Sequence, residues 1–144
     1  QNGVDFKILN AVEEVNDEQR KLIVPKVKSL TGALKGKTIA LWGLSFKPKT
    51  SDMRGAPSLT IIEMLQKEGA KVKAFDPVAE EEAKHLTKDV MCCKDPYTTA
   101  EGCDALIIIT EWNEFRDLNF SRIKSLMKLL LKLTAYANNR VRSQ

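Results

Sequence analysis

Short apolar runs alternate along the chain with stretches in which apolar residues recur every three or four positions. The runs TIALWGL, KVKAFDP, DVMCC and DALIIIT are typical of short buried strands. Between the first two, the segment from Leu59 to Leu65 has the apolar spacing of a helix that starts near Pro57 and ends at Gly69. Further helices are predicted from Glu80 to Lys88, at the start of DPYTTAEGC and in NFSRIKSLMK. Strands that alternate with helices predict a parallel sheet with right-handed crossovers.

A long amphipathic helix is predicted before the first strand. Its apolar positions recur mostly at three- and four-residue steps: Val4, Ile8, Val12, Val15, Leu22 and Leu30. Pro25 should bend or interrupt this helix, because proline lacks an N–H and crowds the preceding turn. The helix is expected either to fold back on its own domain or to meet a neighbouring domain or a second subunit. The fold class is therefore α/β, a small Rossmann-like doubly wound parallel sheet preceded by a long helix.

Composition narrows the possible partners. The 144 residues suffice for about one domain, and 43% apolar with 29% charged residues is ordinary for a globular protein. No apolar run approaches the roughly 20 residues of a membrane span, and no signal peptide is recognised, so no membrane partner is expected. The net charge of +4 is spread along the chain without a basic stripe, so nucleic acid is not expected either.

The cysteines and the histidine suggest no metal site. Cys92, Cys93 and Cys103 form neither a C-x-x-C pattern nor a disulfide framework, which favours reduced, buried thiols and a cytoplasmic location. The one histidine, His85, lies in a polar stretch and is predicted to face solvent on a helix. We therefore expect no metal and no histidine-based catalytic triad.

The segment SFKPKTSDMRGAP carries the candidate chemistry. It leaves the first strand of the predicted sheet and ends at a helix N-terminus, where ligands bind in parallel α/β sheets. Lys47, Lys49 and Arg54 add three positive charges, which suits a diphosphate. The dinucleotide fingerprint G-x-G-x-x-G fails after Gly43. Asp76 lies too far along the chain for the ribose-binding acid of that fingerprint, and its simpler role is that of a turn residue before Pro77.

This segment and its surroundings resemble the C-terminal, UDP-binding domain of the UDP-glucose 6-dehydrogenase family, which also includes GDP-mannose and UDP-N-acetylmannosamine enzymes. The resemblance rests on GKTIALWGLSFKPKTSDMRGAPSLTIIEMLQKEGAKVKAFDPVA and DALIIITEWNEFRDLNFSRIKSLMK, and on ILNAVEEVNDEQRKLIVPKV for the end of the family's central helical region. Its motifs are Phe-Lys-Pro, Asp-x-Arg-x-x-Pro and Thr-Glu-Trp. It implies that residues 1–30 end a central helical, dimerising region and that residues 31–144 form a UDP-sugar-binding α/β domain, with an atypical tail at 129–144.

The resemblance also implies roles for individual residues. Lys47, with Phe46 beside it, would hold the UDP-sugar, and Arg54 would contact the phosphates of the cofactor NAD across a domain interface. Lys49 and Asp52 would shape or solvate the loop. The family oxidises the C6 alcohol of the sugar to a carboxylate in two NAD-dependent steps, and a homo-oligomer is expected through the central helix.

Other parts of the family pattern are absent from this sequence. The family's nucleophilic cysteine segment and its N-terminal G-x-G-x-x-G domain do not occur, so the chain is expected to be a piece of a longer enzyme and inactive alone, with no catalytic residue assigned. Leu129 to Leu133 is expected either to form a further strand or to lengthen the last helix, and Arg140 and Arg142 have no assigned role. The alternative function is a non-catalytic nucleotide-binding or dimerisation module, or a dehydrogenase for GDP-mannose or UDP-N-acetylmannosamine.

Overall fold

A computed structural model describes residues 8–10, 17–45, 51–109, 113–127 and 132–134. Six strands and five α-helices lie within these ranges, together with a 3-10 helix at Asn113–Asp117. The strands are β1 Ile8–Asn10, β2 Thr38–Trp42, β3 Lys71–Phe75, β4 Val90–Cys92, β5 Ala105–Ile108 and β6 Lys132–Thr134. The helices are α1 Asp17–Thr31, α2 Pro57–Lys67, α3 Glu80–Leu86, α4 Pro96–Ala100 and α5 Phe120–Leu126. None of these helices combines the length and apolar character that a membrane crossing requires.

The strands form one parallel sheet in the order β1-β6-β5-β2-β3-β4. Strand β2 lies between β3 and β5, so that Trp42 is in register with Phe75 on one side and with Ile108 on the other. The chain moves outward from β2 to β3 and β4, and then crosses β2 to continue with β5. The carboxyl ends of β2 and β5 therefore flank the point where strand order reverses, which is where open parallel sheets bind their ligands.

Two apolar layers cover the sheet, as a doubly wound fold requires. Residues of α1, α2 and α3 pack on one face with Ile39 and Leu41, and residues of α4, the 3-10 helix and α5 pack on the other with Ala40 and Trp42. Consecutive residues of β2 point to opposite faces, and all four from Ile39 to Trp42 are fully buried. The predicted α/β class and the doubly wound parallel sheet are confirmed.

The amino-terminal helix differs from its prediction. Ile8–Asn10 is a strand that pairs with β6, and the helix is described only from Asp17. Pro25 does not interrupt it, since α1 runs without a break to Thr31. Of the two alternatives for this helix, the structure shows packing on its own domain, through Ile23, Val24 and Val27 in the core shared with α2. The division at residue 30 remains a prediction.

The structure also decides between a further strand and a longer last helix near the carboxyl terminus. Lys132–Thr134 forms β6, in register with Leu106 to Ile108 of β5 on one side and with β1 on the other. The segment therefore contributes a strand to the sheet. Arg140 and Arg142 lie outside the described residues.

Candidate functional site

The carboxyl end of β2 is fixed by a buried carboxylate from the neighbouring strand. Asp76 follows β3 and is only 5% exposed. Its Oδ2 accepts hydrogen bonds from the backbone N–H of Leu44 at 2.7 Å and of Ser45 at 3.2 Å, and lies 3.4 Å from the donating Ser45 Oγ. Its Oδ1 accepts from the N–H groups of Val78 and Ala79, at 2.9 and 2.8 Å. Asp76 therefore joins the chain leaving β2 to the turn that leads into α3.

The same segment is held from α2. The hydroxyl of Ser58, in the first turn of that helix, donates to the carbonyl oxygen of Leu44 at 2.6 Å, and Ser58 is fully buried. Leu44 thus has its N–H bound by Asp76 and its carbonyl bound by Ser58. The two residues before Phe46 are anchored to both neighbouring elements.

The return of the loop to α2 is organised around one apolar residue. Met53 is fully buried in the core under α2, and its carbonyl accepts from the N–H of Ala56 at 3.0 Å. Arg54 and Gly55 form the turn between them, and Gly55 has a φ of +65°, a conformation that glycine adopts without strain. Because Met53 points into the core, the intervening Arg54 is left at the surface.

Arg54 pairs with the acid two residues before it. Its Nε and Nη2 each donate to a different carboxylate oxygen of Asp52, both at 3.1 Å, and its backbone N–H donates to Oδ1 at 2.9 Å. The hydrogen bonds from Arg54 lower the pKa of Asp52, and the same pair raises the pKa of Arg54. The Arg54 side chain is 89% exposed, so this pair orients the guanidinium more than it stabilises the fold.

The predicted site residues are placed only in part. Arg54 is an exposed cation close to the N-terminus of α2, as its position in the motif predicts. Phe46, Lys47 and Lys49 lie outside the described residues. The residues between Thr110 and Trp112, which carry the Thr-Glu-Trp motif and follow β5, lie outside them as well.

Two anchoring residues escaped the sequence analysis. Ser58 was not singled out, and Asp76 was interpreted as a turn residue, which accounts for its bonds to Val78 and Ala79 but not for those to Leu44 and Ser45. The sequence signal for Asp76 is its position: it is an acid directly after β3, the strand next to β2. No comparable signal marks Ser58.

Among the described residues, the histidine and the cysteines form no metal site. His85 is exposed on α3, as predicted. Cys93 and Cys103 are buried, Cys92 is half-buried, and burial raises the pKa of the Cys92 thiol. Within the described ranges, no group of three or more His, Cys, Asp or Glu residues could hold a metal ion.

Comparison with known proteins agrees with this geometry. The sequence profile of the UDP-glucose/GDP-mannose dehydrogenase family, UDP binding domain, matches residues 40–135, and the chain belongs to this family. The predicted family is thereby confirmed, and the match runs from Ala40 within β2 through the segment between β2 and α2 to β5 and β6.

Individual relatives give the same result. UDP-glucose 6-dehydrogenase TuaD of Bacillus subtilis is 45% identical over 127 residues, which are 88% of this chain and 28% of that protein. UDP-glucose 6-dehydrogenase of Rhizobium meliloti is 43% identical over 123 residues, or 85% of this chain and 28% of its own length. The solved structure of a UDP-glucose dehydrogenase from Pyrobaculum islandicum aligns with a TM-score of 0.71 at 25% identity, over 81% of this chain and 29% of that one. The chain therefore spans less than a third of these relatives.

Proposed function

We propose that this chain is the nucleotide-sugar-binding part of an NAD-dependent UDP-glucose 6-dehydrogenase, which converts UDP-glucose to UDP-glucuronate in two successive oxidations. The observation that carries the proposal is the location of the segment SFKPKTSDMRGAP, residues 45–57, which we call the cationic loop. It leaves the central strand β2 beside the point where strand order reverses, within the segment that matches the UDP binding domain. Relatives named UDP-glucose 6-dehydrogenase favour this nucleotide sugar.

The proposal assigns Lys47 and Phe46 to the UDP-sugar. A lysine two residues beyond the anchored Ser45 supplies a positive charge where the chain leaves the sheet, and phosphate oxygens are its natural partners. An aromatic residue beside it offers an apolar surface to a base or a sugar. This chain would bind the substrate, and the reaction would need the catalytic cysteine and NAD domain of the family.

Arg54 fits a contact with the phosphates of NAD, the cofactor that accepts the hydride in such oxidations. Its guanidinium is exposed, and Nη1 takes no part in the pair with Asp52, so N–H donors remain directed away from that carboxylate. The sequence lacks the G-x-G-x-x-G fingerprint, so we expect NAD to be bound mainly by a part of the enzyme outside this chain.

We also propose a cytoplasmic location and self-association through α1. Cys92, Cys93 and Cys103 are thiols that form no disulfide, the state that a reducing compartment maintains. Leu22 on α1 is 64% exposed, although neighbouring residues of the same helix are buried. A second subunit could cover this leucine.

Calorimetric titration of the chain with UDP, UDP-glucose and GDP-mannose tests the proposed substrate. We expect weak binding that is selective for the uridine nucleotides and is lost in Lys47→Ala, because the variant removes a charge that contacts phosphate. Lys49→Ala is the matched control and should bind like the wild type. Absence of heat with every nucleotide would contradict the proposal, and a preference for GDP-mannose would move the chain to another branch of the family.

A further inference from the structure

Asp76 has more hydrogen bonds than its turn requires. The turn into α3 uses only Oδ1, which binds the N–H groups of Val78 and Ala79. Oδ2 instead reaches a segment 32 residues earlier in the chain and binds Leu44 and Ser45. A buried charge is costly to maintain unless donors surround it, and here backbone N–H groups from two loops do so. The second set of bonds therefore calls for a role outside the turn.

The segment that Oδ2 holds has left the sheet. The last ladder-type bonds of this region run from the N–H of Gly43 to Phe75 and from the N–H of Ile109 to Trp42. Beyond them, the N–H groups of Leu44 and Ser45 are bound by Asp76, and the carbonyl of Leu44 is bound by Ser58. Asp76, directly after β3, and Ser58 of α2 thus hold the backbone for two residues beyond these strand-to-strand bonds.

Asp76 is unsuited to contact an anionic ligand itself. Both of its oxygens are occupied by donors of the chain, and the carboxylate is 5% exposed. Its effect on binding would pass through the backbone that it holds.

We propose that Asp76 and Ser58 are positioning residues for nucleotide binding. They fix Leu44 and Ser45, the last described residues before Phe46 and Lys47, to which the proposed function assigns the nucleotide sugar. Preorganisation raises affinity because less conformational freedom is lost on binding. This inference rests on the proposed function, since it assigns part of the nucleotide affinity to residues that do not touch the ligand.

The decisive variants remove one buried hydrogen bond each. Ser58→Ala deletes the hydroxyl that donates to Leu44, and Thr99→Val deletes a buried hydroxyl that donates to the Asp95 carbonyl at 2.7 Å. Thr99 lies on α4, on the opposite face of the sheet, so the control matches the lost bond but leaves the loop intact. Asp76→Asn is the stronger variant, because its amide NH2 would face N–H donors. Ser58→Ala keeps the test valid if Asp76→Asn does not fold.

The test measures UDP affinity by calorimetry and the melting temperature of each variant. We expect Ser58→Ala to bind UDP about five-fold more weakly than the wild type, the fold-change of one typical hydrogen bond. Thr99→Val should lose thermal stability to a similar extent and bind UDP like the wild type. A folded Asp76→Asn should bind more weakly than Ser58→Ala.

The outcomes separate the two proposals. If the wild type binds UDP and Lys47→Ala does not, but Ser58→Ala binds as tightly as Thr99→Val, the positioning roles are overturned and the proposed function stands. If the wild type binds no UDP, or Lys47→Ala binds it as the wild type does, the proposed function falls and the positioning roles fall with it.

Discussion

At the scale of single residues, several aspartates in this domain bind backbone N–H groups. Asp76 binds two loops together, Asp52 binds the N–H and the guanidinium of Arg54, and Asp95 caps α4. Each carboxylate satisfies donors that a turn or a helix start leaves without a partner. The charge pattern of the sequence therefore reflects local backbone geometry as well as ligand chemistry.

Asp95 provides a residue-scale prediction about pH. Its side chain accepts from the N–H and the hydroxyl of Thr98, and these hydrogen bonds lower the pKa of Asp95. A carboxylate whose pKa is lowered by folding stabilises the fold above its unfolded pKa, and this contribution is lost as the pH falls through the folded pKa. Asp95→Ala should therefore cost about 1 kcal/mol at pH 7, and the difference from wild type should shrink below about pH 4.

Urea denaturation at neutral and acidic pH measures this effect. Asp95→Asn is the control, since its amide oxygen still accepts from Thr98 but does not titrate, and its stability relative to Asp95→Ala should not depend on pH. An Asp95→Ala defect of equal size at both pH values would show that the charge of the cap contributes nothing.

The sequence predicts part of the candidate site at this scale. Arg54 was recognised as a loop cation because charge and turn residues are local signals. The partners of Asp76 were not, since Leu44 and Ser45 lie 32 and 31 residues away in sequence and meet it only through the parallel pairing of β2 with β3. The local sequence shows that an acid follows a strand, but which residues it binds depends on the tertiary register.

At the scale of elements, the central strands are predictable from their long apolar runs, and the short edge strands are not. DALIIIT became β5, buried on both faces, because a continuous β-branched run suits a covered parallel strand. The apolar position of Ile8 is compatible with a helix and with a strand. Ile8–Asn10 is a strand because it pairs with β6, which comes from the other end of the chain. Three residues are too few for any periodicity to decide.

At this scale, we predict that Leu22 on α1 contributes to self-association of the chain. Since the side chain is 64% exposed, its burial between two subunits would contribute about 1.5 kcal/mol, or roughly tenfold in the association constant. Sedimentation equilibrium should show self-association of the wild type and weaker association of Leu22→Ser. Leu86→Ser is the control, because Leu86 is similarly exposed, at 48%, on α3.

Two results would contradict a role of α1 in assembly. A wild-type chain that stays monomeric at every concentration would contradict the proposed self-association. An equal loss of association in Leu22→Ser and Leu86→Ser would show that exposed leucines act without regard to the helix that carries them.

At the scale of the whole molecule, topology brings the carboxyl ends of β2 and β5 together. The loop after β2 and the segment after β5 leave neighbouring strands at the same edge of the sheet, although more than 60 residues separate them in the chain. The alternation of strands and helices predicted this parallel sheet, and the crossover from β4 to β5 creates the reversal beside β2. The match to the family includes the residues that follow both strands, β2 and β5.

The most direct test of the account is to locate UDP on the chain by amide chemical-shift mapping. We predict that titration with UDP shifts the amides of Leu44, Ser45 and Arg54 and those of the loop that joins them, at the carboxyl end of β2. The amide of Lys71, at the opposite end of the neighbouring strand β3, should not move. Shifts confined to the region of Lys71, or no shifts at saturating UDP, would contradict the claim that this domain binds a nucleotide at the carboxyl end of β2.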